Sequence, residues 1–276
     1  MEKTSERLDP EVLKSTDENI NLLVFHIATY KLIKGYVKDK IVLDFGCGEG
    51  YGSSIMKDVA KKVVGVDVSS DVIIKAREKY RFDNLEFLFI DKLEKKGLMF
   101  QDKTFDVVVA SQVFEHLDNF DIFFKEVKRI LKDDGFLILT TPNSSLRLLP
   151  FQTPWNHHHK RELNYFEIDS MLSKYFPSYK IFGITFLGIP LRKEIRRVTK
   201  LKIFLYPFTN IVVPEKIKLN VLKTLWDIFR KRDILSKILK RKKEKYYDVD
   251  KLTKRVIITD NPRKKWLSFI CFCYKK

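Results

Sequence analysis

The segment that most constrains this chain is Val42-Leu43-Asp44-Phe45-Gly46-Cys47-Gly48-Glu49-Gly50-Tyr51-Gly52, in which glycines alternate directly behind an apolar run. A buried strand that enters a glycine-rich turn and leaves as a helix brings main chain close to a ligand with no Cβ in the way. The spacing narrows the ligand. A dinucleotide turn of the form G-x-G-x-x-G would need its third glycine at position 51, which is Tyr51. A phosphate loop would need Gly-Lys-Ser/Thr, and none follows.

Strand-like runs at Ile41–Phe45, Val63–Val68, Leu85–Ile90, Phe105–Ala110 and Phe136–Thr140 alternate with helix-length stretches such as Ile122–Leu131. That alternation predicts a parallel sheet covered on both faces. Asp44 lies at the end of the first run, Asp67 at the end of the second and Asp91 directly after the third. Acids at successive strand ends share one edge of the sheet, the edge where open α/β folds bind ligands.

The acid-x-Gly-x-Gly-x-Gly order of Asp44–Gly50 resembles motif I of the class I S-adenosylmethionine-dependent methyltransferases. Phe105–Leu117 resembles their fourth strand with its following turn, and Leu131–Asn143 their fifth strand with its entry turn. The resemblance covers residues 35–190. It implies a Rossmann-like, doubly wound α/β fold with a seven-stranded, mostly parallel sheet of order 3-2-1-4-5-7-6. It also implies an active enzyme with S-adenosylmethionine as cofactor. Asp44 would suit the cationic methionine part of that molecule, and Gly46, Cys47, Gly48 and Gly50 would form the turn around it. Asp67 would take the ribose, Asp91 the adenine amino group, and Val68 and Ser111 would complete the cofactor set.

The opening resembles a subgroup of these enzymes found in cell-surface glycan biosynthesis. The matching features are Glu6-Arg7, a helix bearing His26-x-x-x-Tyr30, and Gly48-Glu49-Gly50-Tyr51-Gly52. The implied reaction is O-methylation of a sugar, a glycolipid intermediate or another small hydroxylated acceptor. Methyl transfer is an in-line displacement, so the enzyme must align the nucleophile and often remove its proton. His116, after the fourth strand, is one candidate base; a turn histidine bonded to main chain is the plainer reading. Asn156–Leu163 resembles the family's Asn-x-x-His-x-x-Glu element, which matches His159 and Glu162 and leaves His157 and His158 unmatched. No metal is expected, because three adjacent histidines diverge. Glu115 and His116 resemble metal positions in some catechol methylators, but Gln112 stands where those have an acid. The Asp/Asn-Pro-Pro-aromatic pattern of enzymes that methylate base amino groups is absent after strand four.

Charge divides the chain. Residues 191–276 hold 26 Lys or Arg against 8 Asp or Glu, whereas residues 1–190 hold 27 against 28, so the net charge of +17 belongs to the last third. The expected organisation is a methyltransferase body with an N-terminal helical cap over 1–190, a basic amphipathic helical insertion over 191–250, and a final strand within 251–276. The insertion would join strand six, Tyr179–Ile189, to strand seven, Trp266–Tyr274. Apolar residues at 3–4 spacing between Val221 and Leu239 read as one helix face. Residues 192–247 could cover the body, dock on an anionic membrane surface or bind nucleic acid, in that order of preference. Two other functions follow from the same segment: RNA methylation, or a non-catalytic, cofactor-binding peripheral membrane protein. Cys47, Cys271 and Cys273 are odd in number and lack a C-x-x-C pair, which suggests neither a disulfide framework nor zinc. The charged start lacks a signal peptide's apolar core, and no apolar run reaches roughly 20 residues. The expectation is a cytoplasmic protein, peripheral at the inner membrane face if the insertion docks there.

Overall fold

A computed structural model describes residues 20–91, 93, 97–225, 228, 249–261 and 265–276. The Glu6-Arg7 pair and most of the apolar stripe beyond Leu225 lie outside them. The elements alternate as the sequence predicts: α1 (Ile20–Lys34), β1 (Ile41–Phe45), α2 (Tyr51–Met56), β2 (Lys62–Asp67), α3 (Ser70–Lys79), β3 (Leu85–Phe89) and β4 (Phe105–Ser111). A 3-10 turn, Phe114–His116, precedes α4 (Phe120–Ile130), β5 (Leu131–Pro142), α5 (Ser144–Arg147), α6 (Tyr165–Tyr175) and β6 (Ser178–Phe186). Then come α7 (Ile189–Thr209), a helical stretch over 215–225, α8 (Val249–Thr253), β7 (Val256–Thr259) and β8 (Ser268–Tyr274).

The sheet order is β3-β2-β1-β4-β5-β8-β6-β7. β8 is the strand expected as the seventh, so the order 3-2-1-4-5-7-6 is present with one further edge strand added. The first five strands run parallel, and β8 pairs antiparallel with both β5 and β6. The extra strand, β7, pairs antiparallel with β6 at the outer edge. β5 begins irregularly: Leu131 pairs with Phe105, and the ladder resumes only with Phe136 opposite Val107. The slack holds Asp133-Asp134-Gly135, within the entry turn to the fifth strand.

Central strands are buried on both faces, and Val42, Leu43, Val107, Val108 and Val109 are fully inaccessible. Such a continuous β-branched run is what a doubly covered parallel sheet selects. One core packs α1, α2 and α3 residues such as Ile33, Met56 and Ile73 on one face. The other packs α4 and α6 through Phe123, Phe124 and Leu172. Asn119 caps α4 by accepting from the Ile122 N–H, and Asn164 with Glu167 forms a reciprocal capping box on α6. Both helices are thereby fixed in register against the strands that carry the site.

The described part of the basic segment lies on the body through a small third core, in which Leu205 and Leu222 bury against Trp155. Its outer side is different. Ile203, Phe204 and Phe208 are exposed on α7, and so are Arg192, Lys193, Arg196 and Lys200. None of the described helices is long and apolar enough to cross a membrane.

Candidate active site

The glycine turn forms the floor of a cavity of about 370 Å³ at the C-terminal edge of β1, β2 and β4. Gly46, Gly48 and Gly50 all adopt left-handed φ, at 74°, 53° and 81°. Two of the glycines are also required by packing. A Cβ on Gly46 would stand 2.4 Å from Val113, and one on Gly50 would stand 2.6 Å from Phe87. A Cβ on Gly48 would meet nothing within 4 Å, because Gly48 faces the cavity.

Asp67 is clamped at the cavity wall. Its carboxylate accepts from the Gly48 N–H at 3.1 Å and from the Ser69 N–H at 2.9 Å, which ties the end of β2 to the glycine turn. Gly46, Cys47, Gly48, Val68 and Ser111 line the same space. Asp44 and Gly50 do not. Asp44 is completely buried beneath the turn, where it accepts from the Ser53 hydroxyl at 2.5 Å and the Tyr30 hydroxyl at 3.1 Å. Burial pushes its carboxyl up to about 6, against the lowering effect of those two hydrogen bonds. Asp44 therefore stands behind the cavity wall, tied through side chains to α1 and α2. Asp91 is exposed just beyond Ile90, which does line the cavity, and residues 92 and 94–96 beside it are outside the described chain.

Tyr30 also lines the cavity, as do His26 and Tyr51, whose side chains meet at 3.1 Å from His26 Nδ1 to the Tyr51 hydroxyl. Helix α1 thus closes one side of the pocket. The i to i+4 spacing of His26 and Tyr30 is the sequence signal for it.

Opposite α1, His116 lines the wall. Its Nδ1 lies 2.9 Å from the His158 carbonyl oxygen. A carbonyl only accepts, so in this contact Nδ1 is the donor. His159 stands behind it, with ring centroids 4.9 Å apart in an edge-to-face arrangement. Its Nδ1 lies 2.7 Å from Glu162 Oε1, and Arg147 Nε donates to the other carboxylate oxygen at 2.8 Å. Burial alone would raise the Glu162 carboxyl, but the Arg147 charge and the His159 contact outweigh it and hold it down at about 2. His116, His159 and Glu162 are thus brought together, whereas His157 and His158 stack on each other at 3.8 Å. Glu115, His116 and His159 each offer one potential ligand atom, and these lie within 4.8 Å of one another.

Gln112 carries no sequence signal beyond its position after β4. It adopts φ 55°, rare for a side chain of its size. Its main-chain N–H donates to the Thr140 carbonyl at 2.9 Å, and its amide nitrogen donates to the Thr140 hydroxyl at 3.2 Å. Strain of this kind, held by neighbouring hydrogen bonds, concentrates at functional sites.

The Glu162 pair has a measurable consequence. Its folded value lies below the ordinary 4.5, so unfolding takes up a proton between the two values. It contributes about 3 kcal/mol that is fully present above 4.5 and lost as pH falls toward 2. Glu162→Gln is expected to cost about 3 kcal/mol in urea unfolding at pH 7, since Arg147 would be left without its counter-charge. At pH 3 the cost should be less than half of that; an equal cost at both pH values would contradict the assignment.

Residues 43–139 match the family model described as "Methyltransferase domain". A protein of Mycobacterium tuberculosis described as a probable S-adenosylmethionine-dependent methyltransferase is 35% identical over 147 residues, covering 53% of this chain and 52% of that one. A ubiquinone biosynthesis O-methyltransferase of Pelagibacter ubique is 30% identical over 115 residues, covering 42% and 47%. The chain thus spans about half the length of the curated relatives it matches. Over nearly its whole length it shares its fold with a solved S-adenosylmethionine-dependent methyltransferase from Thermotoga maritima, with a TM-score of 0.54, 14% identity, and coverage of 92% of this chain and 93% of that one. Residues 43–139 thus match a methyltransferase domain, and the strand order and the glycine turn around them support S-adenosylmethionine as cofactor.

Proposed function

We propose that the chain transfers a methyl group to an oxygen of a small hydroxylated acceptor, a sugar or a glycolipid intermediate, with His116 as the base. The observation that carries this reading is the oriented His116 ring on the wall of the cavity, with the His158 carbonyl on Nδ1. Bound S-adenosylmethionine supplies a sulfonium methyl group: the acceptor oxygen forms the new bond to that carbon, and the carbon–sulfur electron pair returns to sulfur. Asp67 would hold the ribose hydroxyls, and the Gly46–Gly50 turn would admit the cofactor to the main chain. His116 Nε2 would take the acceptor proton, with the His159–Glu162–Arg147 chain buttressing its ring. Oxygen as the acceptor atom is also the chemistry named for the ubiquinone biosynthesis relative.

A second reading comes from the cluster of Glu115, His116 and His159. His159 is also hydrogen-bonded to a buried carboxylate, Glu162, the kind of partner that orients a metal-binding imidazole. A divalent ion there would bind and acidify the acceptor hydroxyl in place of a base.

Incubation with methyl-labelled S-adenosylmethionine and a panel of sugars, lipid-linked glycans and RNA tests the proposal. Label in an O-methyl product, unchanged by EDTA, is the expected result. Loss of label with EDTA would favour the cation, and label in RNA would replace the acceptor class. Cofactor binding with no label in any acceptor would favour a non-catalytic protein. The exposed Ile203, Phe204 and Phe208 among the lysines and arginines of α7 support docking on an anionic membrane. The protein should pellet with phosphatidylglycerol vesicles and stay in solution with phosphatidylcholine ones.

A further inference from the structure

A second cavity, of about 160 Å³, lies beside the first, between α1, the ends of β5 and β8, and α7. Gln112 lines both. Arg147, Arg197, Lys202 and Lys265 line this cavity, against one carboxylate, Glu194. Glu194 is engaged by Arg197, whose Nε donates to it at 3.0 Å, and Arg147 is matched by Glu162. Lys202 is different: its ammonium donates to the Leu146 carbonyl at 3.0 Å and has no carboxylate partner among the described residues. The remaining wall is apolar, through Leu22, Phe25, Phe186 and Ile195.

We propose that this cavity is the acceptor subsite and that it takes an amphiphile bearing a phosphate or carboxylate. The proposal rests on the methyl-transfer reading above and narrows its acceptor from hydroxylated to hydroxylated and anionic. Lys202, with no carboxylate partner among the described residues, sits half-buried beside these apolar side chains, where an anion is held more strongly than at an open surface, and the exposed Lys265 adds a second positive charge to the same cavity. The apolar wall accepts the part of the molecule next to the anion. Gln112, held in its left-handed conformation by Thr140, separates the anion from the reacting hydroxyl. A neutral sugar without such a group would bring no counter-charge to Lys202.

The probes are octyl phosphate and octanoate for the two anions, and octyl glucoside as a neutral molecule with the same tail, titrated into the full-length protein below their micellar concentrations. At least one anion should bind the wild type at least tenfold more tightly than octyl glucoside, and their order identifies phosphate or carboxylate as the group. Lys202→Gln combined with Lys265→Gln should weaken that anion at least tenfold and leave octyl glucoside and S-adenosylmethionine within twofold. Lys193→Gln with Lys200→Gln, on the exposed side of α7, should leave all four ligands unchanged. Equal wild-type affinity for octyl glucoside and both anions would overturn the proposal whatever the variants do. Retention of the anion by the first double variant, or its loss from the second, would also overturn it. Failure of S-adenosylmethionine to bind the wild type would strike the cofactor reading instead, so the two failures are distinguishable.

Discussion

Replacing Asp67 by alanine is expected to weaken S-adenosylmethionine binding by at least about a hundredfold. A carboxylate that accepts from two ribose hydroxyls makes two charge-assisted hydrogen bonds, each worth about 1.5–3 kcal/mol. Since about 1.4 kcal/mol is a factor of ten, the direct loss alone reaches that size. The indirect loss adds to it, because the Gly48 and Ser69 N–H groups would also lose their acceptor and the turn its tie to β2. Asp67→Asn separates the contributions, keeping one acceptor oxygen while removing the charge. Isothermal titration of both variants, with thermal unfolding as the control for folding, reads the effect. A loss below about threefold in a folded Asp67→Ala protein would remove Asp67 from the cofactor site.

His116→Ala should have the opposite signature. General-base catalysis contributes about a hundredfold to ten-thousandfold in rate, so turnover should fall by at least about a hundredfold while cofactor affinity stays within twofold. His159→Ala should fall less, because its ring supports His116 from behind and does not line the cavity. Glu162 and Arg147 would remain paired in that variant. Equal loss of cofactor binding in Asp67→Ala and His116→Ala would contradict the division between a binding wall and a catalytic one. Comparing turnover with cofactor affinity for each variant is the measurement.

Much of the fold is legible in the amino-acid sequence, for reasons that particular residues make clear. The parallel core follows from β-branched runs such as Val63–Val66 and Val107–Val109, whose burial on both faces is itself a sequence pattern. The glycine turn is legible because left-handed φ at alternate positions demands glycine, and Gly46, Gly48 and Gly50 all have it. Strand β7 is not, because four residues beside a basic stretch carry no usable alternation. The boundary expected near Ile189 also lies elsewhere: β6 ends at Phe186, and Gly188 at φ 72° turns the chain into α7 with Pro190 in its first turn. The apolar run Ile203–Pro214 belongs largely to that helix, despite Pro207 within it.

Side-chain direction at strand ends is the harder problem. Asp44 and Asp67 look equivalent in sequence, yet Tyr30 and Ser53 draw Asp44 under the turn while two backbone N–H groups hold Asp67 at the cavity wall. The partner that decides Asp44 comes from α1, and only tertiary packing brings it there. The left-handed conformation of Gln112 is not legible in the sequence for the same reason, since it depends on Thr140 of the neighbouring strand.

The central claim, that the Asp44–Gly52 turn and Asp67 build a site for S-adenosylmethionine, is tested most directly by isothermal titration of the full-length protein with S-adenosylmethionine and, separately, with NADH. Saturable one-to-one binding of the first with no heat from the second is the predicted result. Binding of NADH, or no binding of S-adenosylmethionine even with phosphatidylglycerol vesicles present, would contradict it.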